Sequence, residues 1–275
     1  MEKGPKGISV ARKMKRIIYY LKIWLLMNKN AFQAVLTHKT ILAIFIFAKL
    51  LRFGFFLSFL FFLVRGTQSL AGYSSQQAIF FFMTFNVVDI VSQFLFREVY
   101  RFRPQVVSGE FDLVLVKPMS SLFRALLGGA DVMDLITIPP LLAAVYLVGS
   151  YLSPTTAQII FYIALILNGL LISAAFHIAV ISFGIITLEI DHAIMIYRDL
   201  TNLGRFPVDI YKQPLQGVLT YLVPVGIMIT LPAKALMGLV SPIGVLLSFA
   251  LGATSLLLSL RFWKFALTKY TSASS

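Results

Sequence analysis

Long apolar stretches alternate with polar breaks along the chain, and their lengths carry most of the reading. Apolar runs cover about 40–64, 76–96, 125–149, 155–188, 215–231 and 242–262. A helix needs about 20 apolar residues to cross a bilayer, and a helix satisfies its own backbone there. The pattern therefore predicts an all-α integral membrane protein with six transmembrane helices. Pro139 and Pro140 should kink the third. The fourth, at roughly 50 Å of helical rise, must tilt or project. The fifth is short and contains Pro224, and the stretch begun by Pro232 is expected to form a short re-entrant element on the outer surface before span six.

Ahead of the first span, residues 8–38 are expected to form an amphipathic helix. Met14, Ile17, Ile18, Leu21, Leu25, Phe32, Val35 and Leu36 fall near helical spacing, and Lys13, Lys15, Arg16, Lys22 and Lys29 supply charge. Too polar to span, it should lie along the membrane surface, with Tyr19, Tyr20, Trp24 and Phe32 suited to an interface. The domain plan is then an interfacial helix in 1–39, a transmembrane domain in 40–262 broken by a polar loop at 97–124, and a tail at 263–275.

Orientation follows from Lys and Arg. Residues 1–39 hold nine, 97–124 five, 188–215 three and 261–275 three, whereas the intervening loops hold only Arg65 and Lys234. Basic residues gather on the cytoplasmic side, so both termini and the loops 97–124 and 188–215 are expected there, in a bacterial inner or plasma membrane. Composition agrees: 59% of the 275 residues are hydrophobic and 13% charged, about half the charged share of a soluble domain. The net charge of +13 then reflects orientation rather than nucleic acid, for which no binding motif is present. With no cysteine, thiolate metal sites and thiol catalysis are excluded.

No Gly-x-x-x-x-Gly-Lys-Ser/Thr run exists; Gly128-Gly129 is followed by Ala130 and Asp131, without the lysine of a phosphate cradle. Glu189, Asp191 and His192 are too close in sequence to face one point. Ser173 and His177 share a face of the fourth span with Gly169 and read as a packing surface with one hydrogen-bonded histidine.

Charges inside the spans are the sharpest internal signal. Lys49 and Arg52 lie three apart on one helix face, nine and twelve residues from the inner boundary; Asp89 lies eight from the inner end of span two, in a stripe with Asn86 and Gln93; Asp131 and Asp134 are nine and twelve beyond Leu122. Charges at such depth must pair or face water. Lys49 and Arg52 are expected to pair with Asp89, Asp131 or Asp134, either as an interspan clamp or as a polar patch lining a path.

The loop 97–124 has more pattern than a connector needs. A charged piece from Arg97 to Arg103 meets Pro104, a turn at Gly109 follows, and then Glu110, Phe111, Asp112, an apolar run at 113–116 and Lys117-Pro118. Phe102, Phe111, Leu113 and Leu115 suit docking, to a partner or to the protein's own helices.

The chain resembles the six-span permeases of type-two ATP-binding-cassette (ABC) exporters, and more closely the branch of ABC-2 family transporter proteins. The likeness rests on Gly109-Glu110-Phe111-Asp112, Leu115, Lys117-Pro118 and Phe123; on Gly204-Arg205-Phe206-Pro207 with Ile210-Tyr211; and on Pro224, Pro232-Ala233, Leu236 and Gly238. The resemblance implies a dimer with an identical or homologous permease and two copies of an ATP-binding subunit, which hold the ATP and Mg; this chain has no cofactor and is not itself an enzyme. It also implies a coupling helix between spans two and three, with Arg101, Phe102, Gly109, Glu110, Phe111, Asp112, Lys117 and Pro118 as its contact. The alternative is a membrane-embedded enzyme acting on a lipid or isoprenoid, which would need a converged acid–base site among Asp89, Asp131 and Asp134.

Overall fold

In the computed structural model the described residues are 10–37, 39–67, 69–188 and 190–272; residues 1–9 and Glu189 lie outside them. These residues are helical, with no strand. α1 (Val10–Thr37) precedes α2 (Lys39–Thr67) and α3 (Ser75–Phe96). A 3-10 turn (Arg97–Arg101) leads into α4 (Phe102–Val107), α5 (Glu110–Leu115) and α6 (Ser121–Leu127). Then come α7 (Val132–Ser150), α8 (Thr156–Thr187), α9 (Ile190–Asn202), α10 (Leu215–Leu222), α11 (Gly226–Leu236) and α12 (Pro242–Lys269). Among the described residues five helices are long and apolar enough to cross a membrane, six if the bent pair α10–α11 counts as one span.

Local chemistry sets the helix starts. Ser74 and Thr155 each close a capping box, with Gln77 and Gln158 three residues on. Ser241 caps α12, with Pro242 in its first turn.

α3 is the central helix. Phe80, Phe81 and Phe85 on it are fully buried, packed among Ile172 of α8 and Met228 and Ile229 of α11. Lipid tails are as apolar as leucine, so helices here are held by close fit and hydrogen bonds rather than by burial alone. α8 and α12 show both. Asn168 donates its amide to the Ser248 carbonyl at 2.9 Å and hydroxyl at 2.8 Å, and a Cβ on Gly252 would come within 2.1 Å of the Asn168 side-chain oxygen. Gly169 lets α8 approach the main chain of α11, where a Cβ would meet the Met228 carbonyl at 2.7 Å. Two turns further, His177 is buried and bonds through Nδ1 to the Ser173 carbonyl at 2.8 Å, as its spacing suggested.

α1 touches the bundle at one end only. The Tyr20 hydroxyl accepts from the Ser120 amide at 3.0 Å, and the Asn28 side chain accepts from the Ala130 amide at 2.8 Å. Its residues Met14, Ile17, Ile18, Leu21 and Leu25 are left uncovered by protein.

Two expectations change. The third span begins at Val132, not near 125, because Asp131 caps α7 by accepting from the Met133 amide at 3.0 Å. Pro139 and Pro140 both lie within α7. Pro104 does not stop the charged helix after span two: it sits in the first turn of α4, where a missing N–H breaks no helical bond.

The larger difference concerns 188–215, expected as a loop at the same end as 97–124. Its start is there: Arg103 bonds Asp191 at 3.4 Å and the Leu188 carbonyl at 3.1 Å. Its end is not. The Asp209 carboxylate accepts from the Tyr73 hydroxyl at 2.8 Å and pairs with Lys234 at 2.8 Å. Tyr73 lies just before α3, whose 22 residues separate it from Arg97 by roughly 33 Å. The polar helix α9 with residues 203–210 therefore runs the length of the bundle. Charge hides it from a hydropathy reading, although Ile194, Tyr197, Leu200 and Leu203 give it an apolar stripe. The apolar segment α10–α11, expected as span five, is instead bent by 74° at residues 223–225, around Pro224. One cleft is lined by Asp209 and Gln213 from before α10 and by Leu231 and Lys234 of α11, so both arms of the bend open at the Tyr73 end.

Candidate functional site

Two places gather the residues singled out in the sequence. The first is the end of the bundle formed by 97–130. Glu98 is its hub: buried, it pairs with Arg124, accepts from the Gln105 amide at 2.7 Å and faces Arg101 at 3.8 Å. A buried carboxylate is costly unless it is paired and hydrogen-bonded, and here it joins the 3-10 turn to α4 and α6. Gly129 makes room for it, since a Cβ there would stand 2.9 Å from Glu98 Oε2. Sequence reasoning missed Glu98; its only local mark is Arg101 at i+3.

After α4, Gly109 takes the left-handed conformation (φ 78°) and opens α5, as a turn at that position predicts. Phe102 and Phe111, expected on the contact surface, are fully buried instead. They stack edge-on at 5.0 Å and pack on Trp263 of α12 at 6.4 and 6.3 Å. Asp112 also turns inward, accepting from the Tyr270 hydroxyl at 2.8 Å and from the Ser272 hydroxyl at 2.6 Å. Burial and the adjacent carboxylate push the Tyr270 phenol up to about 12. What remains outside is an apolar tip of Leu113, Leu115 and Val116, the last 81% exposed, with Arg101, Glu110, Lys117 and Pro118 exposed around it. The aromatic half of the expected contact thus holds the tip in place, and the aliphatic half is presented.

The second place is the charged patch within the spans. Lys49 of α2 pairs with Asp134 in the first turn of α7, whose side chain is 4% exposed. Asp131 pairs instead with Arg97 at 3.4 Å, at the mouth of the bundle rather than within it. Asp89 bonds Gln93 and is surrounded by Arg52, Arg198 and Arg205. Asn86 turns back to its own helix, donating to the Phe82 carbonyl at 2.8 Å. The expected pairing holds for Lys49 and Asp134. Arg52 closes no salt bridge among the described residues; it lines a cavity of about 420 Å³ between α2 and α3, with Lys49, Asp89, Gln93 and Arg205. Each of the three aspartates faces cations: Asp134 has Lys49, Asp131 has Arg97, and Asp89 has Arg52, Arg198 and Arg205.

Residues 49–274 match the profile of the family described as ABC-2 family transporter protein. No curated protein and no solved structure matches the chain.

Proposed function

This chain belongs to the ABC-2 transporter family, and from that premise we propose that it is the permease subunit of an ABC exporter, driven by ATP hydrolysis in a separate subunit. The carrying observation is the apolar tip of α5, exposed at Leu113, Leu115 and Val116 yet anchored by the buried Phe102, Phe111 and Glu98. An exposed aliphatic cluster on a fixed base suits a cleft in another protein. The tip is the coupling element, and Arg101, Glu110, Lys117 and Pro118 are its polar rim. The end bearing the tip is cytoplasmic, in keeping with the basic residues concentrated there. The chain lies in the cell membrane with both termini on that side.

In this reading α2, α3, α7, α8, α9 with 203–210, and α12 make six crossings, and α10–α11 is the outer re-entrant element. Two permeases, identical or homologous, sit on two ATP-binding subunits. ATP and Mg belong to those subunits, whose closure moves the tips and opens a path outward.

The test is a subunit list. The tagged chain, purified from native membranes, is expected to bring down an ATP-binding subunit by mass spectrometry, and Leu113→Asp with Val116→Asp is expected to lose it while keeping its gel-filtration profile. Wild-type purifications without any ATPase, or undiminished recovery with the double variant, would sink the reading.

A further inference from the structure

α1 meets the bundle along one stripe and is bare elsewhere. Tyr20, Trp24 and Asn28, spaced four apart, make the stripe. The Tyr20 hydroxyl accepts from the Ser120 amide at 3.0 Å, and its ring lies 4.7 Å from that of Phe123. The Trp24 ring meets Phe94 edge-on at 6.1 Å. The Asn28 side chain accepts from the Ala130 amide at 2.8 Å. Phe94 lies in the last turn of α3, and α2 begins at Lys39, just after α1 ends at Thr37. Both relations put α1 at the level where the spans leave the bilayer.

Two further rows follow around the helix. Met14, Ile18, Leu21 and Leu25 form an exposed apolar row. Beside it stand Lys15, Lys22 and Lys29, all exposed. A spacing of seven returns each lysine to nearly the same face, roughly 10 Å further along the axis. α1 contains no Asp or Glu, so no carboxylate of its own answers the row. An apolar row is all that a helix needs to rest on an uncharged bilayer. A line of cations along its edge adds attraction to anionic lipid, and the lysine stems are long enough to keep each ammonium at head-group height while the apolar row sinks below it. At this level the neighbour on the apolar side is lipid, so the charge beside it is answered most directly by lipid phosphate.

We propose that Lys15, Lys22 and Lys29 bind the head groups of anionic phospholipids in the leaflet on the side of the α5 tip, and that this binding steadies the base of the tip. The connection is short. Residues 120–130, on which α1 rests, include Arg124, which pairs with the buried Glu98, and Glu98 joins the 3-10 turn to α4 and α6. Holding α1 on charged lipid therefore holds the segment that supplies Arg124. The lipid site stands without the permease reading; only its consequence for coupling rests on it.

The experiment compares the full chain in nanodiscs of phosphatidylcholine with the chain in an equal mixture of phosphatidylcholine and phosphatidylglycerol, by backbone hydrogen exchange. Exchange over residues 14–33 is expected to be about tenfold slower or more in the mixture, since each lysine near an anionic surface is worth on the order of fivefold. Exchange over 120–130 should slow with it. Raised salt should shrink both differences. The triple variant Lys15→Gln, Lys22→Gln, Lys29→Gln should lose the difference and keep wild-type exchange in phosphatidylcholine; the triple change to Arg should keep the difference. Equal exchange of wild type in the two discs, or undiminished lipid dependence in the Gln variant, would overturn the proposal. If that variant also loses the ATP-binding subunit while keeping its lipid dependence, the row is a protein contact. Slowing confined to 14–33 would overturn the link to the tip. Gel filtration of each variant separates loss of the site from loss of the fold. Recovery of the ATP-binding subunit from native membranes is scored on wild type. If it is recovered and no lipid dependence is seen, the lipid proposal falls alone; if lipid dependence is seen and no such subunit is recovered, the permease reading falls alone.

Discussion

The Tyr270 hydroxyl donates to the Asp112 carboxylate at 2.8 Å, across 158 positions of sequence. It ties the residue that ends the final helix to the segment after the second span. Tyr270→Phe removes this bond and leaves the ring stacked on Phe111, whose centroid lies 5.3 Å away. A single such bond contributes about 1 kcal/mol. Hydrogen exchange over residues 108–118 is expected to speed up about fivefold, with the rest of the chain unchanged. Unaltered exchange there would show that the bond does not restrain the tip.

The same bond sets a pH window. The Tyr270 phenol is raised from 10.0 to about 12 by burial and by Asp112. Its folded value lies above its unfolded one, so the protonated, donating form is favoured by folding. That contribution is fully present below pH 10 and is lost as pH rises through about 12. The tether is therefore indifferent to physiological pH. Ultraviolet titration of wild type minus Tyr270→Phe should show one phenolate appearing near pH 12; a transition near 10 would contradict the bond to Asp112.

Lys49 and Asp134 form the interspan clamp. Lys49→Met leaves Asp134, 4% exposed, charged and unpaired, which costs about 3–5 kcal/mol when the partner of a buried pair is removed. The double change Lys49→Met with Asp134→Leu should recover most of that. Unfolding midpoints in detergent for the two single and the double variants make the cycle. Additive losses would mean that the two groups do not interact.

The traverse of α9 and residues 203–210 can be read by labelling, because the chain has no cysteine and a single one gives a clean signal. Gln213→Cys is expected to react with an impermeant thiol reagent on the same side of the membrane as Leu239→Cys. Lys117→Cys should react from the opposite side. If Gln213→Cys labels with Lys117→Cys instead, residues 190–210 do not cross.

Several of the spans were legible because apolar length is a strong constraint in lipid: 76–96 and 155–188 reappear almost unchanged as α3 and α8, and 242–262 as α12, which runs on to Lys269 into the expected tail. The route of 188–213 was not. Asp191, Arg198, Arg205 and Asp209 look like a loop to any scale that weighs residues singly. Their partners, Arg103, Asp89, Tyr73 and Lys234, come from three other parts of the chain. Pairing holds a polar helix along the side of a bundle, with Ile190 and Ile194 turned inward, and pairing is a property of the fold. The same reason explains Phe102 and Phe111. Aromatic residues in a charged loop signal an apolar contact, yet only the position of Trp263 shows that the contact is internal. Glu98 lacked a signal because Arg124 and Gly129 reach it from after a turn that sequence could not fold.

The helix of the second span does not end where its apolar run does. It passes through Arg97–Arg101 into α4, so 33 residues from Ser75 to Val107 form one nearly unbroken column, roughly 50 Å long at helical rise. Continuous backbone thus joins α5 at one end to Phe80 and Phe81 at the other, where they pack in one core with residues of α8 and α11, and Glu98, paired with Arg124, ties the column to α6 on the way.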